Sequence, residues 1–83
     1  MGYVKLIDKG TTIFIYNISV EDNTDKIPNF DVILGEDILK SNDDYVDYNG
    51  TLVVSEEEVS DAISEYMTAE YPNVIDYMFK VEE

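Results

Sequence analysis

Glu57, Glu58, Asp61 and Glu65 sit in a stretch whose apolar residues, Val59, Ala62, Ile63, Tyr66 and Met67, recur at helical spacing. At about 100° per residue the four carboxylates share the face opposite that stripe. From Glu57 to Glu65 the rise is roughly 12 Å at 1.5 Å per residue. No lysine stands four residues from any of them. A second acidic group, Asp43, Asp44 and Asp47, is interleaved with Tyr45 and Tyr48 just before Asn49-Gly50. Unpaired carboxylates in rows can stand in for phosphates and fill the arginine and lysine sites that hold nucleic acid. An amphipathic ring beside a carboxylate suits a protein interface. Acids on an exposed helix face ordinarily mean solvation only. Here the basic half of such a face is missing, whereas exposed helices usually intersperse both signs.

The whole chain repeats that imbalance. Nineteen acids face five lysines, with no arginine or histidine, for a formal charge of -14 over 83 residues. Solubility in a small domain needs a net charge of only about 2 to 8, and the surplus is self-repulsive. Residues 1–41 carry seven acids and four lysines, whereas residues 42–83 carry twelve acids and Lys80 alone. A positively charged partner is implied. Nucleic acid and anionic membrane are disfavoured as direct ligands, because each needs a basic footprint.

Without cysteine or histidine there is no disulfide framework, no thiolate or imidazole metal site, and no Cys–His or Ser–His–Asp nucleophile. No cofactor, metal site or catalytic residue is expected. Residues 45–56 approach a calcium-loop pattern, with Asp47, Asn49, Gly50 and Glu56 at suitable places, but Tyr45 occupies the first ligand position. The absence of a long apolar run or a signal-type leader reads as a protein of the cytoplasm, with no membrane partner.

The elements that must position these groups follow from local signals. A 45% hydrophobic content is that of one folded domain, residues 1–83. Tyr3–Ile7 and Thr12–Val20 read as strands of an N-terminal hairpin, the second with Phe14, Tyr16, Ile18 and Val20 on one face and Ile13 and Ile15 on the other. Glu21–Asn29 reads as a polar, mobile loop. Residues 30–41 fit either strand or helix, with a strand and a short turn or helical piece preferred. Tyr45–Tyr48 and Thr51–Val54 flank Asn49-Gly50 as a hairpin. Ser55 and Glu58 form a capping box for the helix, Pro72 ends its pattern, and Ile75–Val81 alternates as a last strand. The fold expected is α+β: an antiparallel sheet of about five strands, in the order ββ-x-ββ-α-β, packed on one amphipathic helix near residues 55–71. Tyr3, Tyr16, Tyr66 and Tyr77 are expected in the core, and Tyr45, Tyr48 and Tyr71 are open to an interface.

Two resemblances bear on function. Leu6-Ile7-Asp8-Lys9-Gly10-Thr11-Thr12 resembles the strand–Asp-Thr/Ser-Gly segment of retroviral-type aspartic proteases, and Phe30-Asp31-Val32-Ile33-Leu34-Gly35 resembles their later Val-Ile-Leu-Gly strand. Lys9 departs from that pattern and would hold the aspartate ionised, so an aspartate-based hydrolase ranks last. Small size, extreme acidity and an α+β pattern together resemble the phage-encoded anti-defence proteins, anti-CRISPR and DNA-mimic inhibitors among them. That resemblance rests on composition and size, and no residue carries over by position. It implies a non-enzymatic viral inhibitor in the host bacterial cytoplasm, bound to a basic nucleic-acid-binding protein such as a CRISPR effector or another nuclease. The alternative is an immunity protein that neutralises a cationic nuclease toxin. Asp43, Asp44, Tyr45, Asp47, Tyr48, Glu57, Glu58, Asp61 and Glu65 are the expected partner-binding residues.

Overall fold

The computed structural model describes residues 5–22 and 25–82. Tyr3, the start of the first expected strand and two residues of the Glu21–Asn29 loop lie outside them. The chain runs β1 (Leu6–Asp8), β2 (Thr12–Val20), β3 (Phe30–Ile33), a 3-10 turn (Asn42–Asp44), β4 (Val46–Tyr48), β5 (Thr51–Ser55), α1 (Glu56–Glu70) and β6 (Val74–Glu82). This is an α+β domain. Among the described residues, six strands form two antiparallel three-stranded sheets, ordered β1-β5-β4 and β3-β2-β6, instead of one sheet of five.

The expected N-terminal hairpin does not form. Ile7 pairs with Val54 in one sheet, while Thr12 and Ile13 pair with Ile33 and Val32 in the other. The Asp8–Thr11 turn passes the chain from sheet to sheet. Lys9 N–H donates to Leu52 C=O at 2.9 Å and Gly10 N–H to Leu34 C=O at 2.9 Å, so this turn ties the two sheets together. Residues 30–41 resolve as β3 followed by a turn, in which Gly35 at φ 93 lets Leu34 and Ile38 bridge. Asn49 (φ 54) and Gly50 (φ 86) give the hairpin its two left-handed positions, and Tyr48 lies opposite Thr51 as a type I′ connection requires.

The core is a layer of aliphatic residues closed by the helix. Ile13, Ile15 and Val32 from one sheet, Leu34 just beyond β3, and Ile7 and Val54 from the other sheet meet Val59, Ile63 and Met67 of α1. The helix starts where expected: Ser55 Oγ accepts from Glu58 N–H at 3.2 Å. Only that half of the capping box is formed, the Ser55 side chain accepting from Glu58 without a return bond from the Glu58 carboxylate.

The even faces of β2 do not stay together. Asn17 takes φ 55, and the β2–β6 register slips between Tyr16 and Ser19. Ile13 and Ile15 are therefore inward before this bulge and Ile18 packs on the core after it, while Phe14 and Tyr16 stack on the outer face with centroids 5.6 Å apart. Tyr16 is thus not a core residue. Tyr66 and Tyr77 do pack against the core. A second slip, opposite Ser19 and Val20, turns Ile75 outward to 66% exposure, against the expected alternation.

Candidate functional site

Ser55 and the first-turn acids Glu56, Glu57 and Glu58 give α1 a favourable N-terminus, since carboxylates there oppose the positive end of the helix dipole. Lys5 Nζ approaches Glu56 at 3.9 Å, the one ion pair among the described residues. The first-turn acids therefore have a structural use. Asp61 and Glu65 have none: they lie beyond the first turn, and the last turn holds no basic residue. Glu57, Asp61 and Glu65 are spaced i, i+4, i+8, so neighbouring carboxylates repel, at a cost of a few tenths of a kcal/mol per pair. All of Glu57, Glu58, Asp61 and Glu65 are exposed.

The acids before the hairpin divide by role. Asp44 Oδ2 accepts from Ser41 N–H at 3.2 Å while Ser41 Oγ accepts from Asp43 N–H at 3.1 Å, which builds the cap of the 3-10 turn. Asp47 Oδ1 accepts from Gly50 N–H at 2.9 Å and braces the hairpin. Neutralising Asp44 or Asp47 therefore loosens a turn, so neither acid is free to serve a partner alone. Asp43 is exposed and makes no side-chain hydrogen bond among the described residues.

One groove brings the two acidic groups together. Asp44 and Glu65 line it with Asp37, Lys40, Leu39 and Tyr66, in a shallow depression of about 530 Å³. Asp37 was missed in the sequence because it lies in the ambiguous segment. Its carboxylate also accepts from Ile33 N–H at 2.7 Å. Burial pushes the Tyr66 phenol above its ordinary pKa, and Tyr71, Asp37 and Glu70 push it further, as expected for a negative potential at this end of the helix. Asp47 and Tyr48 stand outside the groove, on the hairpin, where Tyr48 is 61% and Val46 68% exposed.

Tyr45 is corrected from interface to core. It is 8% exposed, and its hydroxyl donates to Leu39 C=O at 2.6 Å. Lys9 Nζ lies 5.8 Å from its ring centroid and also donates to Asn42 Oδ1. Tyr45 therefore supports the Leu39–Asp44 loop from beneath and offers no ring to a partner. Tyr71 is partly buried against Phe30 and Tyr66, at centroid distances of 5.4 and 6.4 Å. Residues 45–56 form a hairpin and a helix start, and among the described residues no group of three acids converges as a metal site would require.

Burial, and then the charge of Asp44, raises the Tyr45 pKa above its ordinary 10.0. The fold thus favours the protonated phenol. Its contribution to stability is complete below pH 10.0 and is lost as pH rises through the higher folded-state value. Thermal melting followed across the alkaline range should show this decline. Tyr45→Phe should make it shallower, leaving the part that Tyr66 contributes, while lowering neutral-pH stability by about 1 kcal/mol, the worth of the lost hydrogen bond. An alkaline decline equally steep in the variant would assign it to other groups.

No protein-family model, curated protein or solved structure matches this chain.

Proposed function

We propose that the protein is a non-enzymatic acidic inhibitor that binds the basic nucleic-acid-binding surface of a host defence nuclease, with a CRISPR effector the leading target. The observation that carries this reading is the unpaired acid row of α1. Asp61 and Glu65 are exposed, serve no cap and stand within a like-charge series, and the domain bears this cost under a net charge of -14. Presented to arginines and lysines spaced for a phosphate backbone, the row exchanges self-repulsion for charge-assisted hydrogen bonds. The groove between α1 and the Lys40–Asp44 loop extends the acidic surface to Asp44 and Asp37. Exposed Tyr48 and Val46 offer an apolar anchor beside it.

Capture of a target from prokaryotic lysate, with elution by a salt gradient, is the first test. With the captured protein in hand, its association rate should be high at low salt and fall steeply as ionic strength rises, because long-range steering is screened. A rate that stays flat across the salt range would remove the phosphate-mimic mechanism and leave an apolar interface.

The aspartic-protease reading, ranked last from the sequence, has one observation in its favour. Its two sequence segments lie side by side, with Gly10 N–H donating to Leu34 C=O at 2.9 Å and Leu34 N–H to Thr11 C=O at 3.0 Å. Against it, Asp8 is exposed and is followed by Lys9, whose side chain is held over Tyr45 and beside Gly35. Peptide cleavage that is blocked by pepstatin and lost in Asp8→Asn would favour this reading over inhibition.

A further inference from the structure

The long free edge of the second sheet is unused by the electrostatic reading. Strand β6 spans nine residues, Val74–Glu82, and among the described residues only β2 pairs with it. On the far side of β2, strand β3 covers only Thr12–Ile15, so Tyr16–Val20 and Val74–Met78 form a two-stranded ribbon. Two strands alone are marginal in water. Exposed apolar side chains collect here too, with Met78 at 48% and Ile75 at 66%.

The direction of the backbone groups on β6 follows from the ladder. Leu34 N–H donates to Thr11 C=O, so odd-numbered β2 residues up to Ile15 turn their backbone groups toward β3 and even-numbered ones toward β6. Met78 and Lys80, opposite Tyr16 and Phe14, therefore spend their N–H and C=O groups on β2. Tyr77, Phe79 and Val81 turn theirs to the open edge. Tyr77 N–H is met at 2.9 Å only by the carboxylate of its neighbour Asp76, as an outward-facing donor would be.

We infer that β6 is a self-association edge, on which two copies of this chain pair antiparallel about a two-fold axis at Met78. In that register Phe79 lies opposite the partner copy's Tyr77, so each pair exchanges two backbone hydrogen bonds. Asp76 then releases Tyr77 N–H and faces the partner copy's Lys80. Two such ion pairs form by symmetry, using the one lysine of the C-terminal half. Met78 meets its own copy as a close, non-hydrogen-bonded pair, on the outer face where Lys80 lies 5.6 Å from the Phe14 ring. The result is a continuous six-stranded sheet, β3-β2-β6 joined to its own copy. A lysine on an edge strand is also a common guard against pairing. The match of Lys80 to Asp76 in a two-fold register is what favours pairing with this chain over mere protection.

The native chain has no cysteine, which makes single-cysteine crosslinking a clean test. Met78→Cys should oxidise readily to a disulfide-linked dimer, whereas Lys80→Cys, on the same exposed face but off the axis, should not. Sedimentation of the full chain should show a concentration-dependent dimer. Lys80→Asp should weaken it by roughly tenfold or more, since both cross-strand pairs become repulsive. The exchange Asp76→Lys/Lys80→Asp should restore it. Lys40→Asp, which makes the same change in net charge away from the strand, should weaken it much less, and circular dichroism should find every variant folded. A wild-type chain that remains monomeric at all concentrations would overturn the inference. So would equal crosslinking at both cysteines, or an exchange variant as weak as Lys80→Asp. Target inhibition is a separate readout, so failure of the edge leaves the electrostatic proposal standing and the reverse also holds.

Discussion

Glu57→Gln/Asp61→Asn/Glu65→Gln is expected to abolish target inhibition while leaving the melting temperature unchanged or higher. The three side chains are exposed. Their removal relieves two like-charge i,i+4 pairs, and only Glu57 gives up a favourable place in the first turn. Stability should therefore move by a few tenths of a kcal/mol. Binding should move far more. A desolvated carboxylate that meets an arginine or lysine costs about 2 kcal/mol or more when truncated. Three such losses approach roughly 6 kcal/mol if they add, or about ten-thousandfold in Kd. A merely solvated face predicts no change in either quantity. Inhibition at wild-type potency would move the interface off α1, with Asp43 and the Val46–Tyr48 hairpin the next surfaces to test. Asp44 and Asp47 make poorer probes because each holds a turn together.

That distinction between a surface acid and a turn-building acid was partly open to sequence reasoning. Ser41 and Asp44 have the spacing of a capping box, whereas Asp47 stands one residue before the Tyr48–Thr51 turn, and no local spacing rule brings its carboxylate to the Gly50 N–H. Where a signal is local, the sequence was sufficient. Ser55 and Pro72 bracket the helix, Asn49-Gly50 makes the hairpin, and alternation locates β6. Non-local pairing was not legible. Nothing near Leu6–Asp8 says that its partner is Val53–Ser55 and not Thr12 onward, because that choice depends on how the Asp8–Thr11 turn reaches Leu52 and Leu34. The same limit hid the bulge at Asn17. One residue in the left-handed region exchanges the buried and exposed faces of a strand, and an asparagine between Tyr16 and Ile18 does not announce it. Tyr45 was misplaced for a related reason. Its acidic neighbours suggested the surface, but the hydroxyl has a carbonyl to reach in Leu39, which lets the ring be buried.

The acid row can act only if α1 is held against both sheets, and Ile63 is the residue that most directly tests this coupling. It is fully buried, at 0% exposure, at the centre of the stripe formed by Val59, Ile63 and Met67. Ile63→Ala removes buried carbon and leaves a cavity, at a cost of about 2–5 kcal/mol. A domain of this size sits toward the lower end of the usual stability range of about 5–15 kcal/mol, so much of its stability is at stake. At about 4–8 °C per kcal/mol for a chain of this length, the melting temperature should fall by roughly 8–40 °C. Ser64→Ala, one residue along on the exposed side, should scarcely move it. Inhibition by Ile63→Ala should then follow the folded fraction: near normal well below its melting point and absent above it. Loss of inhibition at a temperature where circular dichroism still reports the native fold would mean that Ile63 shapes the binding surface itself. The triple acid variant should behave oppositely, inactive even at temperatures where it is fully folded. The two variants thus separate what builds the helix from what the helix presents. A Glu57–Glu65 face that kept its potency in the acid variant yet lost it on core truncation would place binding elsewhere on the same folded domain.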